Sequence, residues 1–312
     1  MRYIVISATT LNLIDDCTEK YRLSRKCNLS LINTDGTVKD LEQGDTIHIG
    51  MAEYYRELKK GNKLSFKDIE EVMRVHSVNA TDLREGELAE ILKAVELYLS
   101  HWEFDSWEIL EVEQPFIITL GVIPDTPERE GVTIIFQGKI DLMVRTANNQ
   151  EMIVDHKKAS QKRYPHSLYH QNMGYCLALN KRYICLNYIG TQNSKDISNR
   201  LHRHIISYTK GQLEEWRRIA IYKAVTTFTE LELDWSNPNW GSCFKYGRPC
   251  EFLKICEADS MDRERLIRSL YTVKDFSGSL FAKSAPAELA RATESNKVEG
   301  DNVSSSDLER GK

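Results

Sequence analysis

The clearest pattern in the chain lies between residues 134 and 157. Ile134, Ile135, Phe136, Ile140, Leu142, Met143 and Val144 are β-branched, aromatic or large apolar residues, as a buried strand requires. Thr146-Ala147-Asn148-Asn149-Gln150 interrupts them with residues that favour turns, Asn in particular tolerating the left-handed backbone region. Met152, Ile153 and Val154 restart the apolar run, so the segment predicts two strands joined by a turn. Glu111-Val112-Glu113-Gln114-Pro115-Phe116 is strand-like as well. Elsewhere the spacing is helical. Ile47, Met51, Tyr54 and Leu58 follow Gly44-Asp45, which predicts a helix with His48 in its first turn. Leu88, Ile91, Leu92, Val95 and Leu99 form another amphipathic stripe, and Thr209-x-x-Gln212 is a capping-box start for a helix carrying Leu213, Trp216 and Ala220. Helices and strands together predict an α/β fold. A chain of 312 residues allows one large domain or two small ones, and residues 1–283 are taken as one. Residues 284–312 are rich in Ser, Glu and Asn with few large apolar side chains, which predicts a disordered polar tail.

Three charges on the predicted hairpin carry the chemistry. Successive side chains on a strand point to opposite faces, so Asp155 and Lys157 share a face. Asp141 joins them if the hairpin register brings it opposite. Two carboxylates meeting there repel unless a cation lies between them, and Mg²⁺ or Mn²⁺, which prefer oxygen ligands, would relieve that. The bland alternative is a pair of solvated strand ends. Gln171 and Tyr175 fall on one helix face just after Asp155-x-Lys157, where both can hydrogen-bond a phosphate or orient the lysine. For His48 the alternative is a partly buried histidine with one satisfied nitrogen.

In their order and spacing, Gly44…His48, Gly138-x-Ile140-Asp141, Asp155-x-Lys157 and Gln171-x-x-x-Tyr175 resemble the RecB-like branch of the PD-(D/E)XK nuclease superfamily. The resemblance spans about residues 7 to 256 and implies a restriction-endonuclease-like core, a small mixed sheet flanked by helices. It implies that His48, Asp141, Asp155 and the backbone carbonyl of His156 bind the metal. Lys157 would orient the attacking water or stabilise charge developing on the phosphate. Gln171 and Tyr175 would support Lys157 and the DNA backbone. An imidazole among oxygens suits Mn²⁺ better than an all-oxygen site does. Glu113 lies on a strand that often precedes the metal hairpin in this family and is taken as supporting or structural.

The seven cysteines stand at 17, 27, 176, 185, 243, 250 and 256. Cys243, Cys250 and Cys256 crowd a segment preceded by turn formers, and such loop cysteines favour a ligand role over a core one. The odd count and the lack of a signal-peptide pattern speak against disulfides. Three thiolates are one short of a four-thiolate site. Cys17-Thr-Glu-Lys-Tyr21 resembles the start of the family's iron–sulfur members, which implies that Cys17, Cys243, Cys250 and Cys256 hold a [4Fe–4S] cluster pinning the two chain ends together. Cys27 is the substitute for Cys17. Zinc suits four thiolates equally on geometry alone, and reduced, unligated thiols are the third alternative. Cys176 and Cys185 have apolar surroundings and read as core residues.

Global composition adds little. The hydrophobic fraction is 41%, ordinary for a globular core, and the net charge of −4 gives no overall attraction to nucleic acid. Local charge does better: Lys157, Lys158, Lys162, Arg163, His166 and His170 crowd the segment after the hairpin, with Tyr164 and Tyr169 interleaved. A basic run alone is most often a solvated loop, but beside a metal site it reads as a phosphate path with faces for stacking bases. No apolar run approaches a membrane span, and the first ten residues make a poor signal peptide. The expectation is therefore a cytoplasmic DNA nuclease of a prokaryote or its virus, an exonuclease on single strands or duplex ends. A helicase or recombination partner is not revealed. The alternatives are a non-catalytic DNA-binding or assembly module of the same fold, and a zinc-binding interaction protein.

Overall fold

The computed structural model describes residues 2–31, 37–80, 83–102, 106–126, 130–159, 168–192, 194–233 and 235–273. In chain order the first elements are β1 (Arg2–Ile6), α1 (Ala8–Asp16), α2 (Thr18–Tyr21, continued by a π-turn) and β2 (Leu29–Leu31). Then come α3 (Thr37–Lys59), α4 (Phe66–Ala80), α5 (Glu85–His101), β3 (Glu108–Ile123), β4 (Val132–Arg145) and β5 (Glu151–Ala159). The remainder is α6 (His170–Ala178), β6 (Tyr183–Gly190), α7 (Ile197–Arg200), β7 (Leu201–Ser207), α8 (Lys210–Glu232), α9 (Leu253–Glu257), α10 (Ser260–Leu270) and β8 (Tyr271–Val273).

The predicted hairpin forms as β4 and β5, paired antiparallel with Leu142 opposite Val154 and Arg145 opposite Glu151. Its turn places Asn149 at φ 59, the left-handed conformation for which Asn is suited. These strands lie within a mixed sheet ordered β1-β4-β5-β6-β7, with β3 also paired to β4. β1 and β4 run parallel, as do β5 and β6, while the β3–β4 and β6–β7 pairs are antiparallel. Two cores cover the sheet. Leu11 of α1, Met173 of α6 and Trp216 of α8 pack with Ile134, Phe136, Ile153 and Leu186. Ile47 of α3, Met73 of α4 and Ile91 of α5 pack with Leu142, Val144, Val154 and Cys185. The capping box at Thr209 and Gln212 starts α8 as the sequence predicts, and α5 buries Leu88, Ile91, Leu92 and Val95. Cys176 and Cys185 are both fully buried.

One boundary differs. His48 is not in a first turn, because α3 begins at Thr37 and places it in mid-helix. Gly44-Asp45 reads locally as a helix start, yet the helix continues through it, and a side chain at Gly44 would meet nothing within 4 Å. Burial of Ile47, Met51 and Tyr55 on one stripe outweighs the weak helix propensity of a single glycine.

The two ends of the described chain meet. β2 pairs antiparallel with β8, Leu31 opposite Tyr271, over a small core of Leu23, Leu29, Phe252, Ile255 and Tyr271. The predicted tail, 284–312, lies outside the described residues.

Gly174 of α6 marks a close approach. A Cβ there would lie 2.5 Å from the Phe136 ring and 2.8 Å from the Trp216 ring, both buried. Gly174→Ala is expected to force these rings apart and to destabilise the fold by about 1–3 kcal/mol, read as a lower denaturation midpoint with an unchanged slope.

Candidate metal centre

Asp141 stands between two other carboxylates. Val112 faces Leu142 and Gln114 faces Ile140, so Glu113 of β3 lies across from Asp141 on one side. On the other side, one register step beyond the Leu142–Val154 pair, lies Asp155. Glu113 holds φ 53, a conformation an L-residue in a strand adopts only at a cost of order 1–3 kcal/mol. From α3, His48 brings its Nδ1 to 3.3 Å from Asp141 Oδ2. His48, Glu113 and Asp141 each offer one ligand atom within 4.8 Å of the others. One imidazole nitrogen and two carboxylate oxygens on rigid elements are a suitable donor set for a divalent cation. The sequence reading takes Glu113 as supporting or structural, and the fold places it with His48 and Asp141. Lys139 of the same β4 segment pairs with it.

Asp155 and Lys157 share a face of β5, and Gln171 closes a ring with them. The Lys157 ammonium is 2.7 Å from Asp155 Oδ2 and donates to Gln171 Oε1 at 2.9 Å. The Gln171 amide in turn donates to Asp155 Oδ1 at 2.9 Å. Each of the three thereby fixes the other two. Tyr175, one turn further along α6, hydrogen-bonds Gln171, and its ring rests at Gly138, where a Cβ would come within 2.9 Å of it. The glycine of the Gly138-x-Ile140-Asp141 motif thus admits the Tyr175 ring against β4.

The charges are strongly perturbed. Burial works to raise the Asp141 carboxyl, but hydrogen bonding and charge from His48 outweigh it and hold Asp141 low. The backbone N–H of His156, which donates to Asp141 Oδ2 at 2.7 Å, acts in the same direction. Asp155, 2% exposed, is pushed up by burial, with Lys157 opposing and Asp141 adding to the rise. For Lys157, burial acts to lower the ammonium, but Asp155 prevails and its pKa is raised. His48 is raised likewise, Asp141 overcoming burial. Carboxylates crowded at low dielectric around one basic nitrogen are the surroundings a cation would neutralise.

Behind the site, His156 turns to the opposite face of β5. Burial pushes its imidazole down to about 3, so the ring is neutral. It stacks on Tyr55 at 5.7 Å and its Nδ1 lies 2.8 Å from Asn187 Nδ2. Arg203 completes this wall, lying 3.7 Å over Trp102 and 3.9 Å over Trp107 and donating to Tyr98 Oη at 3.1 Å. An apolar and aromatic wall of this kind fixes the backbone of β5 where the charged residues stand.

The basic run is only partly on view. Lys162, Arg163, Tyr164 and His166 lie outside the described residues, and Tyr169 is half exposed. His170 does not belong to a phosphate path. It is 7% exposed, bonded on both ring nitrogens, because α1 and α8 close over the start of α6.

Among the cysteines, Cys256 feels the charge of Cys250, Cys17 and Cys243, and Cys250 that of Cys17. Burial pushes the Cys256 thiol up to about 11, and those neighbouring thiols add to the rise. The backbone N–H of Asn239 donates to Cys17 Sγ at 3.3 Å. The Cys27 thiol accepts from Arg22 at 3.7 Å and packs on the same small core as Cys250 and Cys256. No helix among the described residues is long and apolar enough to cross a membrane.

The family model of the PD-(D/E)XK nuclease superfamily matches residues 5–257. Among curated proteins none matches. Among solved structures, that of SSO0001 is similar at 15% identity, with 69% of this chain and 84% of that chain covered and a TM-score of 0.32. A likeness of that size adds nothing to what the site itself supports.

Proposed function

Because the chain belongs to the PD-(D/E)XK nuclease superfamily, we propose that it hydrolyses DNA phosphodiester bonds as an exonuclease on single strands or duplex ends. The observation that carries this is the closed Asp155–Lys157–Gln171 ring beside the His48, Glu113 and Asp141 donors. His48, Glu113 and Asp141 would hold Mg²⁺ or Mn²⁺, with Asp155 and the His156 carbonyl as further ligands from β5. The cation supplies a Lewis acid and a water of lowered pKa. Lys157 holds its ammonium toward the reacting phosphate, where a fixed charge away from bulk water is most effective. Asp155 and Gln171 keep that ammonium in place, so no reorganisation is needed as charge develops. Gln171 and Tyr175 also face the DNA backbone.

End-labelled single-stranded, linear duplex and circular DNA distinguish the modes of cutting. The expected result is mononucleotides or short oligomers released from ends in Mn²⁺, with covalently closed circles left intact. Nicking of circles at the same rate would make the enzyme an endonuclease. His48→Ala should weaken metal binding by removing one of three close donors, so raising Mn²⁺ should restore part of its activity. The check is a metal titration of cleavage rate, and a flat response would remove His48 from the ligand set.

The cysteines fit a [4Fe–4S] cluster held by Cys17, Cys243, Cys250 and Cys256. Cys17, Cys243 and Cys250 all act on the Cys256 thiol, so the four lie near one another, and an N–H bond to Cys17 Sγ suits a cluster ligand. Such a cluster needs reduced thiolates, which goes with a cytoplasmic setting. Protein purified without oxygen should be brown, with about four irons per chain. Cys250→Ala should lose the colour and lower the melting temperature, while Cys176→Ala keeps the colour. Colourless protein with stoichiometric zinc would reassign the site.

A further inference from the structure

We propose that His170 is a positioning residue that fixes the first turn of α6, and with it Gln171, to the segment carrying Asp15. Its catalytic consequence rests on the nuclease function above; the physical link does not.

The Trp216 indole N–H donates to His170 Nδ1 at 2.9 Å. An indole can only donate, so Nδ1 is the acceptor and Nε2 carries the hydrogen. Nε2 lies 2.8 Å from Asp15 Oδ2 and therefore donates to it. Both ring nitrogens are used, and the ring is buried and held from two sides. Asp15 itself is fixed by Lys223 of α8. Further along, α6 packs through Met173 and Gly174 against Phe136 and Trp216; at its first turn His170 adds these two side-chain bonds, and the next residue is Gln171, the bridge between Asp155 and Lys157.

The far end of the link is a junction of the chain's two ends. Asp16 pairs with Lys245. The Asn239 N–H donates to Cys17 Sγ. Thr18 Oγ1 donates to the Asn237 carbonyl and accepts from the Asn237 N–H, both at 2.7 Å. A shift of this junction moves Asp15, and Asp15 is bonded to the helix that holds the lysine. His170 therefore carries the position of the joined segments, 15–18 and 237–245, to the reacting centre.

His170→Leu keeps bulk and removes both bonds; Asp15→Ala removes the link from its more exposed end and serves should the first variant fold badly. Hydrogen exchange of the peptide covering residues 168–178 is expected to quicken about fivefold or more in both, with residues 183–190 of β6 unchanged. In DNA cleavage, kcat should fall about 10- to 100-fold while KM and Mn²⁺ affinity stay within about twofold, as a misplaced lysine predicts. Because His170 acts through Gln171, His170→Leu/Gln171→Leu should cleave no more slowly than Gln171→Leu alone. Unchanged exchange across residues 168–178 overturns the link, and fully additive losses in the double variant overturn the route through Gln171. If the wild-type protein cleaves no DNA, the nuclease function fails while exchange still decides the link.

Discussion

Lys157→Ala is expected to slow DNA cleavage by about 10²–10³-fold, the ~3–4 kcal/mol associated with loss of one preorganised charge donor. The ammonium is held by Asp155 at 2.7 Å and by Gln171 at 2.9 Å, so its position is set before substrate arrives. Removing it leaves Asp155 buried without its cation, and a buried carboxylate in that position takes up a proton instead of remaining charged. Burial already pushes Asp155 upward, so the adjustment is in a direction the site favours and the variant should fold. Mn²⁺ displaces that proton when Asp155 ligates it, loss of the neighbouring ammonium offsets the cost, and His48, Glu113 and Asp141 are untouched, so affinity for Mn²⁺ should stay close to that of the wild type. Cleavage that falls while metal affinity holds separates Lys157 from the ligands. Isothermal titration with Mn²⁺ beside single-turnover cleavage makes the comparison, and a parallel loss of both would assign Lys157 to metal retention.

Asp141→Ala should do the opposite, with loss of metal binding as the first event. Asp141 joins three parts of the centre. It lies 3.3 Å from His48, accepts from the His156 backbone and sits across from Glu113. Without it, His48 and Glu113 lose the third donor of their group, and Mn²⁺ affinity should fall by more than about 100-fold, beyond the 10- to 100-fold typical when only a supporting residue is lost. Asp141→Asn tests the reason, since the amide oxygen can still accept from the His156 N–H while the negative charge is gone. It should fold as the wild type does and bind metal as poorly as the alanine variant. Excess Mn²⁺ should restore His48→Ala far better than either change at Asp141.

The hairpin and its Asp-x-Lys could be read from sequence because strand periodicity is local and a turn containing Asn-Asn is unambiguous. The placing of Gln171 and Tyr175 on one helix face follows similarly from short-range spacing, whereas the mixed sheet flanked by helices is what the family resemblance implies. The place of Glu113 across from Asp141 is not legible in the sequence for a non-local reason: only the β3–β4 register, with a residue at positive φ, sets it there. One signal was available, the alternation Glu111-x-Glu113 in a strand-like run, although alternation alone cannot say which carboxylate faces a partner. His170 was misassigned because a basic run counts charges, whereas burial there depends on α1 and α8, which are distant in sequence. His48 was placed in a first turn because Gly-Asp looks like a helix start, and only the continuous buried stripe of α3 shows otherwise. The proposed cysteine clasp draws on both kinds of information. Late crowding of three cysteines is visible in the chain, but contact between the chain's ends depends on pairing of β2 with β8.

The most direct test of the central claim is single-turnover cleavage of end-labelled DNA by wild-type protein, Asp141→Asn and Lys157→Ala across a Mn²⁺ titration. The wild type should cut only with metal and saturate with it. Asp141→Asn should be inactive at every metal concentration that saturates the wild type, and Lys157→Ala should saturate at the wild-type concentration with a rate about 10²–10³-fold lower. Cleavage that persists in a chelator, or that is unchanged in both variants, would contradict a metal-dependent nuclease site built on these residues.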